Sequence, residues 1–194
     1  IKKRMLDIVV SFLVIVFVLS WLVPILGLLI LLESRGPVFF SQLRTGKNKK
    51  SFYCLKFRSM RTNKDADLRQ ATQNDSRVTK IGSFIRRTSL DEFPQFLNVF
   101  KGEMSLVGPR PHMLKHTTDY SKLVDDYMIR QFLKPGITGW AQVNGFRGEI
   151  TNPDQIKMRV NKDLWYLENW TLFLDLQILF LTVYQVLKGD KNAF

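Results

Sequence analysis

Cysteine and histidine are scarce in this sequence, whose 194 residues include one cysteine, Cys54, and two histidines, His112 and His116. A single cysteine cannot form an intramolecular disulfide, and it is typical of a protein kept in a reducing compartment. His112 and His116 are four residues apart, but the sequence has no pair of cysteines that could complete a zinc site of the Cys₂His₂ type with them. The sequence therefore excludes a disulfide-stapled fold and a metal site built from thiolates.

Acidic residues are also few, with 17 aspartates and glutamates against 29 lysines and arginines. The net charge of +12 and the pI near 10 indicate anionic partners, namely nucleic acid, phospholipid headgroups or phosphorylated substrates. Charge alone does not choose among these three classes. The 45% apolar content excludes a disordered chain, and the length fits one domain with a modest core.

A long apolar run near the N-terminus is the clearest single feature of the sequence. Residues 8–32 carry no charged side chain, and this run exceeds the roughly 20 residues that a bilayer-spanning helix needs. It is also longer than the apolar region of a secretory signal peptide, which has about 7–15 residues and a small-residue cleavage site after it. We therefore predict a membrane-embedded helix.

Basic residues flank the apolar run on both sides, with Lys2, Lys3 and Arg4 before it and Arg35 and Arg44 after it. Positively charged residues accumulate on the cytoplasmic side of membrane segments. Both ends of the run are therefore predicted to face the cytoplasm.

Pro24 lies inside the run, and a proline removes a backbone hydrogen-bond donor and bends a helix. A re-entrant membrane helix hairpin over residues 1–35, bent near Ser20 and Pro24, would return both ends of the run to one side. A spanning helix with a proline kink is the alternative that these residues leave open. Residues 36–194 are predicted to form one cytoplasmic domain, and the chain to be the C-terminal part of a larger protein.

The cytoplasmic domain is predicted to be α+β, mostly helical, with one small β-hairpin. Its strands are expected near residues 38–43 and 52–58. Alternation along the second strand places Cys54, Lys56 and Arg58 on one face. That basic face is either a solvated surface or a surface that faces phosphate.

Further elements follow from periodicity and from helix-start residues. Residues 62–77 are polar and turn-rich and predict a loop, and helical spacing follows near 81–85 and 96–100. Asn152, which precedes a proline, is a typical helix start. The apolar segment 170–187 has a tryptophan at its head and few polar residues, which favours an amphipathic helix in the membrane interface. A buried core helix is the alternative.

Two adjacent carboxylates, Asp91 and Glu92, stand out in "RRTSLDEFPQ" because the chain is otherwise so basic. Pro94 has no amide hydrogen, so a helix through it has its N-cap at Asp91 or later, which places both acids at a helix N-terminus. One interpretation is structural, with Asp91 as the cap and Glu92 beside the helix dipole. The other is catalytic, and the neighbouring segments favour it.

Arg110 is the first of these neighbouring features, because it lies between Pro109 and Pro111. Two prolines restrict the backbone on both sides, and a planar guanidinium held in one direction suits a phosphate. A surface salt bridge would not need so rigid a frame. The second feature is "KPGITGWAQVNGFRGE" at 134–149, whose glycines and polar side chains form either a ligand loop or two tight turns. It lacks the Gly-Lys-Ser/Thr of a Walker loop.

Four segments together resemble one family: "KRMLD" near the N-terminus, "KFRSM" at 56–60, "RRTSLDEFPQFLNVFKGEMSLVGPRPH" at 86–112 and the glycine-rich segment at 134–149. They are similar to the bacterial monotopic phosphoglycosyl transferases, the sugar transferases that start polysaccharide and glycan assembly on polyprenyl phosphate. The resemblance extends along essentially the whole chain. "ATQNDSRVTKIG" and the closing "KNAF" are similar to the undecaprenyl-phosphate glucose phosphotransferase branch.

The resemblance implies a reaction, a metal and a location. Sugar 1-phosphate would pass from a UDP-sugar, with glucose favoured, to undecaprenyl phosphate, with release of UMP, at the cytoplasmic face of the bacterial inner membrane. By the family pattern Asp91 would be the nucleophile that forms an acyl phosphate, and Glu92 would help to hold Mg²⁺. Such a transfer is the first membrane step of exopolysaccharide, capsule or O-antigen synthesis.

The resemblance also implies roles for residues around the two acids. Arg110 matches a family arginine that grips phosphate, and Arg86 matches one at the polyprenyl phosphate site. Lys56, Arg58 and Asp163 match positions near the family's active site. The loop expected to bind the nucleotide sugar contributes Gly136, Thr138, Gln142, Asn144 and Arg147.

At the membrane bend the chain departs from the family pattern, since a Ser-Pro pair is replaced by Ser20-Trp21, with Pro24 one turn later. The position of the bend is therefore open. Galactose or an N-acetylated hexosamine is the alternative sugar, and an inactive membrane scaffold of the same fold is the alternative function. A nucleic-acid-binding domain does not explain the apolar run, so no nucleic-acid partner is expected. The family also leads us to expect a homodimer.

Overall fold

The computed structural model describes residues 1–62, 72, 75–148 and 152–189. Most of the loop predicted over 62–77 lies outside these residues, as does the closing "KNAF". The predicted α+β class is confirmed. Among the described residues the helices are α1 Lys2–Val14, α2 Ser20–Glu33, α3 Lys80–Arg87, α4 Gln95–Lys101, α5 Leu114–Ser121, α6 Trp140–Val143, α7 Pro153–Glu168 and α8 Leu172–Lys188. The strands are β1 Phe39–Thr45, β2 Ser51–Phe57, β3 Ser105–Val107 and β4 Gly136–Thr138.

The apolar run forms one continuous helix, in which a π-helical turn, Ile15–Leu19, joins α1 to α2. By length and composition this helix could cross a membrane. The backbone stays helical at Ser20, with φ −56° and ψ −37°, and Pro24 lies inside α2. Helices bend at π turns and at prolines, so the irregular region coincides with the predicted bend. The re-entrant path itself stays a prediction.

Polar contacts bind the start of this helix to the rest of the protein. Arg4 donates hydrogen bonds to the carbonyl oxygens of Val99 at 2.6 Å and Phe100 at 2.7 Å, at the C-terminal end of α4. The buried carboxylate of Asp7 accepts from the backbone amide of Leu106 in β3 at 2.8 Å. The first two turns of α1 are therefore docked on the domain by charged groups.

The other end of the helix is held in the same way. The Glu33 carboxylate accepts from the amides of Lys80 at 2.6 Å and Ile81 at 2.9 Å, in the first turn of α3. Arg58 donates to the Ser34 carbonyl at 2.6 Å and so caps the C-terminus of α2. Both ends of the long helix thus contact the domain that follows it.

β1 and β2 pair antiparallel from Phe39 opposite Phe57 to Thr45 opposite Ser51, which confirms the predicted hairpin. Burial along β2 does not follow the predicted alternation, because Cys54 and Phe57, from opposite faces, are both buried, whereas Tyr53 is 63% exposed. The predicted basic face is therefore not a solvated surface, since Arg58 on that face is also buried. One apolar cluster packs α2 against β2 and α3, and another packs β2 and β3 against α4, α7 and α8. Asp91 and Glu92, called the dyad below, lie between α3 and α4, where these two clusters meet.

β3 and β4 form a short parallel pair that nothing in the sequence predicts. Their close approach requires glycine, because a Cβ atom on Gly136 would lie 2.1 Å from the backbone nitrogen of Gly108. A Cβ atom on Gly139 would lie 2.2 Å from the carbonyl oxygen of Gly108. Two glycines of the predicted ligand loop are therefore explained by backbone packing.

α8 buries one edge and exposes a broad apolar surface. Leu174 and Ile178 belong to the core, whereas Phe173, Phe180 and Leu187 are exposed. Large exposed apolar patches are typical of surfaces that contact a membrane or another protein. The interfacial position of α8 and the homodimer stay predictions.

Candidate active site

Asp91 and Glu92 lie in a 3₁₀ turn, Leu90–Glu92, between α3 and α4, and each is only 8% exposed. Pro94 precedes the first residue of α4, as its missing amide hydrogen requires. Asp91 and Glu92 thus precede α4 as predicted, but Asp91 does not cap it, because the N-cap is Pro94 and the first turn of α4 contains no acid. Burial of two neighbouring carboxylates is costly unless cations or hydrogen bonds compensate their charge.

Cations compensate Glu92 directly. Lys56 Nζ lies 2.7 Å and Arg110 Nη2 2.8 Å from Glu92 Oε1. Burial acts to raise the pKa of Glu92, but the charges of Arg110 and Lys56 outweigh it and hold the pKa well below its usual range. Glu92 therefore carries a fixed negative charge at neutral pH, and it is bound by residues from β2 and from the Pro-Arg-Pro segment.

Asp91 is in a different electrostatic position. Its ion pair with Lys56 measures 3.9 Å, which is beyond hydrogen-bond distance. Burial raises the pKa of Asp91 and the charge of Glu92 adds to this effect, while Lys56 and Arg86 oppose it. Asp91 thus has the higher pKa of the two carboxylates and is farther from the nearest cation. A carboxylate that is not held by close ion pairs is free to act as a nucleophile.

The predicted ligand loop reaches this turn through Arg147. Arg147 Nη2 donates to the Ser89 hydroxyl oxygen at 2.8 Å, and the Arg147 charge also lowers the pKa of Glu92. Ser89 has a φ of 58°, in the left-handed region, and this conformation costs a residue other than glycine about 1–2 kcal/mol. The sequence does not predict this role of Ser89, because no local pattern indicates that a serine adopts a left-handed conformation or accepts a bond from a distant arginine.

A buried guanidinium supports the Pro-Arg-Pro segment from behind. Arg130 Nη2 donates to the backbone carbonyl of Arg110 at 2.9 Å, and Arg130 Nε donates to the Asp163 carboxylate at 2.9 Å. Asp163, predicted near the active site, therefore acts through Arg130 and does not contact the dyad. Sequence analysis missed Arg130, because an arginine and an acid 33 residues apart form no local pattern that could reveal their contact.

His112 belongs to the same support. Its Nδ1 lies 3.0 Å from Arg130 Nη1 and 2.6 Å from the Tyr127 hydroxyl oxygen. Because a guanidinium only donates, we assign Nδ1 as the acceptor and place the ring proton on Nε2. Burial, together with nearby arginines that include Arg130 and Arg159, holds the pKa of His112 well below its usual range. The ring is therefore neutral at neutral pH.

Other predicted residues lie away from the dyad. Arg58 caps α2, and Ser20 and Pro24 belong to the long helix. Thr138 bonds to Thr182 of α8 at 2.7 Å. Side-chain bonds to carbonyl oxygens within the β4–α6 segment hold Gln142 and Asn144. The structure thus brings Lys56, Arg110 and Arg147 to the turn that carries Asp91 and Glu92. The charge of Arg86 acts to lower the pKa of Asp91.

The resemblance implies a magnesium ion, and the carboxylates of the candidate site are the side chains that could bind it. Among the described residues no group of three His, Cys, Asp or Glu side chains could hold a metal. Mg²⁺ is commonly bound by one or two carboxylates together with waters and substrate phosphates. The adjacent carboxylates of Asp91 and Glu92 fit this mode of binding, and they do not fit an all-protein cage.

Comparison with known proteins connects this arrangement to a family. The model of the family described as "Bacterial sugar transferase" matches residues 1–189. The chain is similar to the UDP-glucose:undecaprenyl-phosphate glucose-1-phosphate transferase of Xanthomonas campestris pv. campestris, with 53% identity over 165 residues, 84% of this chain and 34% of the relative. It is also similar to the Escherichia coli (strain K12) protein of the same name, with 48% identity over 191 residues, 98% of this chain and 40% of the relative.

A third relative carries a different sugar in its name. It is the UDP-N-acetylgalactosamine-undecaprenyl-phosphate N-acetylgalactosaminephosphotransferase of Aeromonas hydrophila, with 42% identity over 164 residues, 84% of this chain and 38% of the relative. The chain thus spans 34%, 40% and 38% of the lengths of these three proteins. The family model nevertheless matches nearly all of this chain, and the chain belongs to the bacterial sugar transferase family.

Proposed function

We propose that the chain transfers glucose 1-phosphate from UDP-glucose to undecaprenyl phosphate and releases UMP. The proposal rests on the difference between the two carboxylates of the dyad. Glu92 is bound by cations at 2.7 and 2.8 Å, whereas Asp91 lies 3.9 Å from Lys56. Glucose is favoured over galactose or an N-acetylated hexosamine because the relatives at 53% and 48% identity are named for glucose.

The proposed reaction has two displacements at one phosphorus atom. A carboxylate oxygen of Asp91 attacks the phosphorus that bears the sugar, and the bond from this phosphorus to the bridging oxygen breaks. UMP leaves with that oxygen and its electron pair, and an aspartyl phosphosugar remains. An oxygen of undecaprenyl phosphate then attacks the same phosphorus, and the bond to Asp91 breaks and restores the carboxylate.

Charge stabilisation accompanies both displacements. Arg110, Lys56 and Arg147 are positioned to attract the phosphate oxygens. Negative charge increases on the leaving oxygen as its bond to phosphorus breaks, and these cations stabilise it. Glu92 is the carboxylate that would hold Mg²⁺, together with waters and substrate phosphates. When bound, the ion would neutralise diphosphate charge and polarise the phosphoryl oxygens.

A donor panel tests the proposed function. The full chain, solubilised in detergent, is incubated with Mg²⁺, undecaprenyl phosphate and one of UDP-glucose, UDP-galactose, UDP-N-acetylglucosamine or UDP-N-acetylgalactosamine, and UMP release is measured. We expect UDP-glucose to exceed each other donor in kcat/KM by about ten-fold or more. Preference for another donor would show that glucose is the wrong sugar. No UMP release with any donor would favour the alternative that the chain is an inactive membrane scaffold.

The docked ends of the long helix support a re-entrant path at the cytoplasmic face of the bacterial inner membrane. Arg4 and Asp7 contact the domain at one end, and Glu33 contacts it at the other. A spanning helix would place Arg4 and Asp7 across the bilayer from their partners. These contacts, with the basic flanks, favour both ends on one side.

Cysteine labelling should find both ends of the helix on the cytoplasmic side. Lys2→Cys and Lys47→Cys are expected to react with an impermeant maleimide in inside-out vesicles and not in intact cells, because both flank a segment that returns to its side of entry. The native Cys54 is buried, and Lys115→Cys, at an exposed position of the domain, is the matched control. Labelling of Lys2→Cys from the opposite side to Lys115→Cys would establish a spanning helix.

The pH profile of the first displacement should report Asp91. Ionised Asp91 is the attacking form, so kcat/KM for UDP-glucose is expected to fall as the pH drops through the raised pKa of Asp91. Lys56 lowers that pKa, so Lys56→Met should move the acidic limb to higher pH. Lys115→Met, which removes an exposed charge, is the control. A limb that stays in place, or moves to lower pH, would contradict this assignment.

A further inference from the structure

Arg159 on α7 is buried, and among the described residues no carboxylate lies within ion-pair distance of it. It is 6% exposed, and its Nε has no hydrogen-bond partner among the described residues. Its Nη2 donates to the carbonyl of Gly148, at the end of the glycine-rich segment, at 3.2 Å. No ion pair to Arg159 occurs in the part of the chain that the structure describes. A single contact to a neutral carbonyl therefore accompanies a buried positive charge.

The acid that should pair with Arg159 is already occupied. Asp163 follows four residues later on α7, which is the usual spacing for an ion pair within a helix. Its carboxylate is instead bound by Arg130 Nε at 2.9 Å and Nη2 at 2.8 Å. Burial, with the charges of Arg110 and Arg130, lowers the pKa of Arg159 to about 10, and the nearby charge of Asp163 opposes this shift only in part. Arg159 thus stays positively charged at neutral pH.

A buried cation without an ion-pair partner is costly, and buried charges in proteins are normally paired with a group of opposite charge. Arg159 lies close enough to Arg110 for the two charges to interact, and Arg110 contacts Glu92 of the dyad at 2.8 Å. His112 supplies a second observation, because its Nε2 is also buried without a partner in the described residues. The proton that we place on Nε2 makes this atom a donor that still needs an acceptor.

We propose that Arg159 binds a phosphate group of a substrate beside Arg110. This inference rests on the proposed transfer reaction and adds a binding residue to it. A phosphate oxygen would accept from the unpaired Nε of Arg159 and compensate its charge, and guanidinium–phosphate bonds of this kind are strong. Two substrates carry the required group, since the nucleotide sugar has a diphosphate and the polyprenyl acceptor has a monophosphate.

Two-substrate kinetics with Arg159→Met distinguish these sources. Methionine keeps an unbranched side chain and removes the charge, and Lys157→Met removes an exposed charge from the same helix. In a double displacement kcat/KM for each substrate reports its own half-reaction. We expect Arg159→Met to lower at least one of these ratios by about 10- to 100-fold, with Lys157→Met unchanged.

The affected ratio identifies the bound phosphate. A loss confined to UDP-glucose assigns Arg159 to the nucleotide diphosphate, and a loss confined to undecaprenyl phosphate assigns it to the acceptor. A loss in both assigns it to the phosphoryl group that both half-reactions share. Ratios unchanged for both substrates would overturn the proposal.

Ligand-induced shifts in Tm separate binding from structural support, and they need no turnover. UDP, which carries both phosphates of the donor, and farnesyl phosphate are added separately to the full chain, and the Tm shift that each causes is compared with the shift in Arg159→Met. We expect the probe that matches the affected substrate to protect the variant less than the wild type. Equal protection by both probes, with or without a lower Tm for the variant, would leave Arg159 a structural residue and overturn the proposal. Absence of UMP release from every donor by the wild type would instead refute the proposed function.

Discussion

Asp91→Asn is expected to lose about 10³-fold or more of the transfer activity while the protein remains folded. Asparagine has the shape of aspartate, but its neutral amide cannot attack phosphorus. Rapid quenching after mixing with UDP-glucose labelled in the sugar-bearing phosphate should leave label on the wild-type protein when the acceptor is omitted, and none on Asp91→Asn. UMP release gives the rate.

The stability of this variant follows from the raised pKa of Asp91. A group whose pKa is higher in the folded state contributes stability below its unfolded pKa, and this contribution is lost as the pH rises through the folded pKa. At neutral pH the ionised Asp91 is therefore unfavourable to the fold. Asp91→Asn should keep or raise the Tm.

Asp126→Asn is the matched control for this experiment, because it makes the same change at an exposed position. It should retain activity and Tm. Full activity or undiminished labelling in Asp91→Asn would exclude the covalent role of Asp91. Inactivity together with a collapsed Tm would instead show that Asp91 supports the fold.

Glu92→Gln is expected to lose about 10²-fold or more of the activity and, unlike Asp91→Asn, to destabilise the protein. The substitution removes the negative charge that binds Lys56 at 2.7 Å and Arg110 at 2.8 Å, and leaves two cations close together. Hydrogen bonds to charged groups are worth about 1.5–3 kcal/mol. For a domain of this size that corresponds to a fall in Tm of roughly 3–12 °C.

The pH dependence of this loss has a defined sign. The pKa of Glu92 is lowered in the folded state, so its stabilising contribution is present above the unfolded value of 4.5 and is lost as the pH falls. Thermal unfolding at pH 7 and at acidic pH should show a Tm difference between wild type and Glu92→Gln that shrinks in acid. Glu168→Gln, at an exposed position, is the control. A difference that grows in acid, or retained activity, would contradict the role assigned to Glu92.

Local sequence determined those parts of the molecule whose cause lies within a few residues. The uncharged run at 8–32 is long enough to form the N-terminal helix, and alternation with a basic turn determines the β1–β2 hairpin. Pro94 restricts where α4 can start and so places the dyad before it. Asn152 caps α7 through a bond that its side chain accepts from the amide of Asp154. The family motifs are likewise continuous segments.

The parallel β3–β4 pair could not be predicted, because two three-residue strands carry too little periodicity to be recognised. This pair changes the interpretation of the glycine-rich segment. Gly136 and Gly139 face the backbone of Gly108, so their lack of side chains serves packing. Arg147, further along the same segment, is the residue that reaches the dyad turn.

The charges around the dyad were decided by tertiary structure alone. Asp91 and Glu92 are equivalent neighbours in the sequence, and they differ because Lys56 from β2 and Arg110 from beyond β3 converge on Glu92. The pairing of Arg130 with Asp163 has the same origin, since it takes from Arg159 the acid that helix spacing would supply. A sequence shows which charged groups exist and which lie on one helix face. Only the folded chain sets the distances between segments, and Coulomb energies depend on those distances.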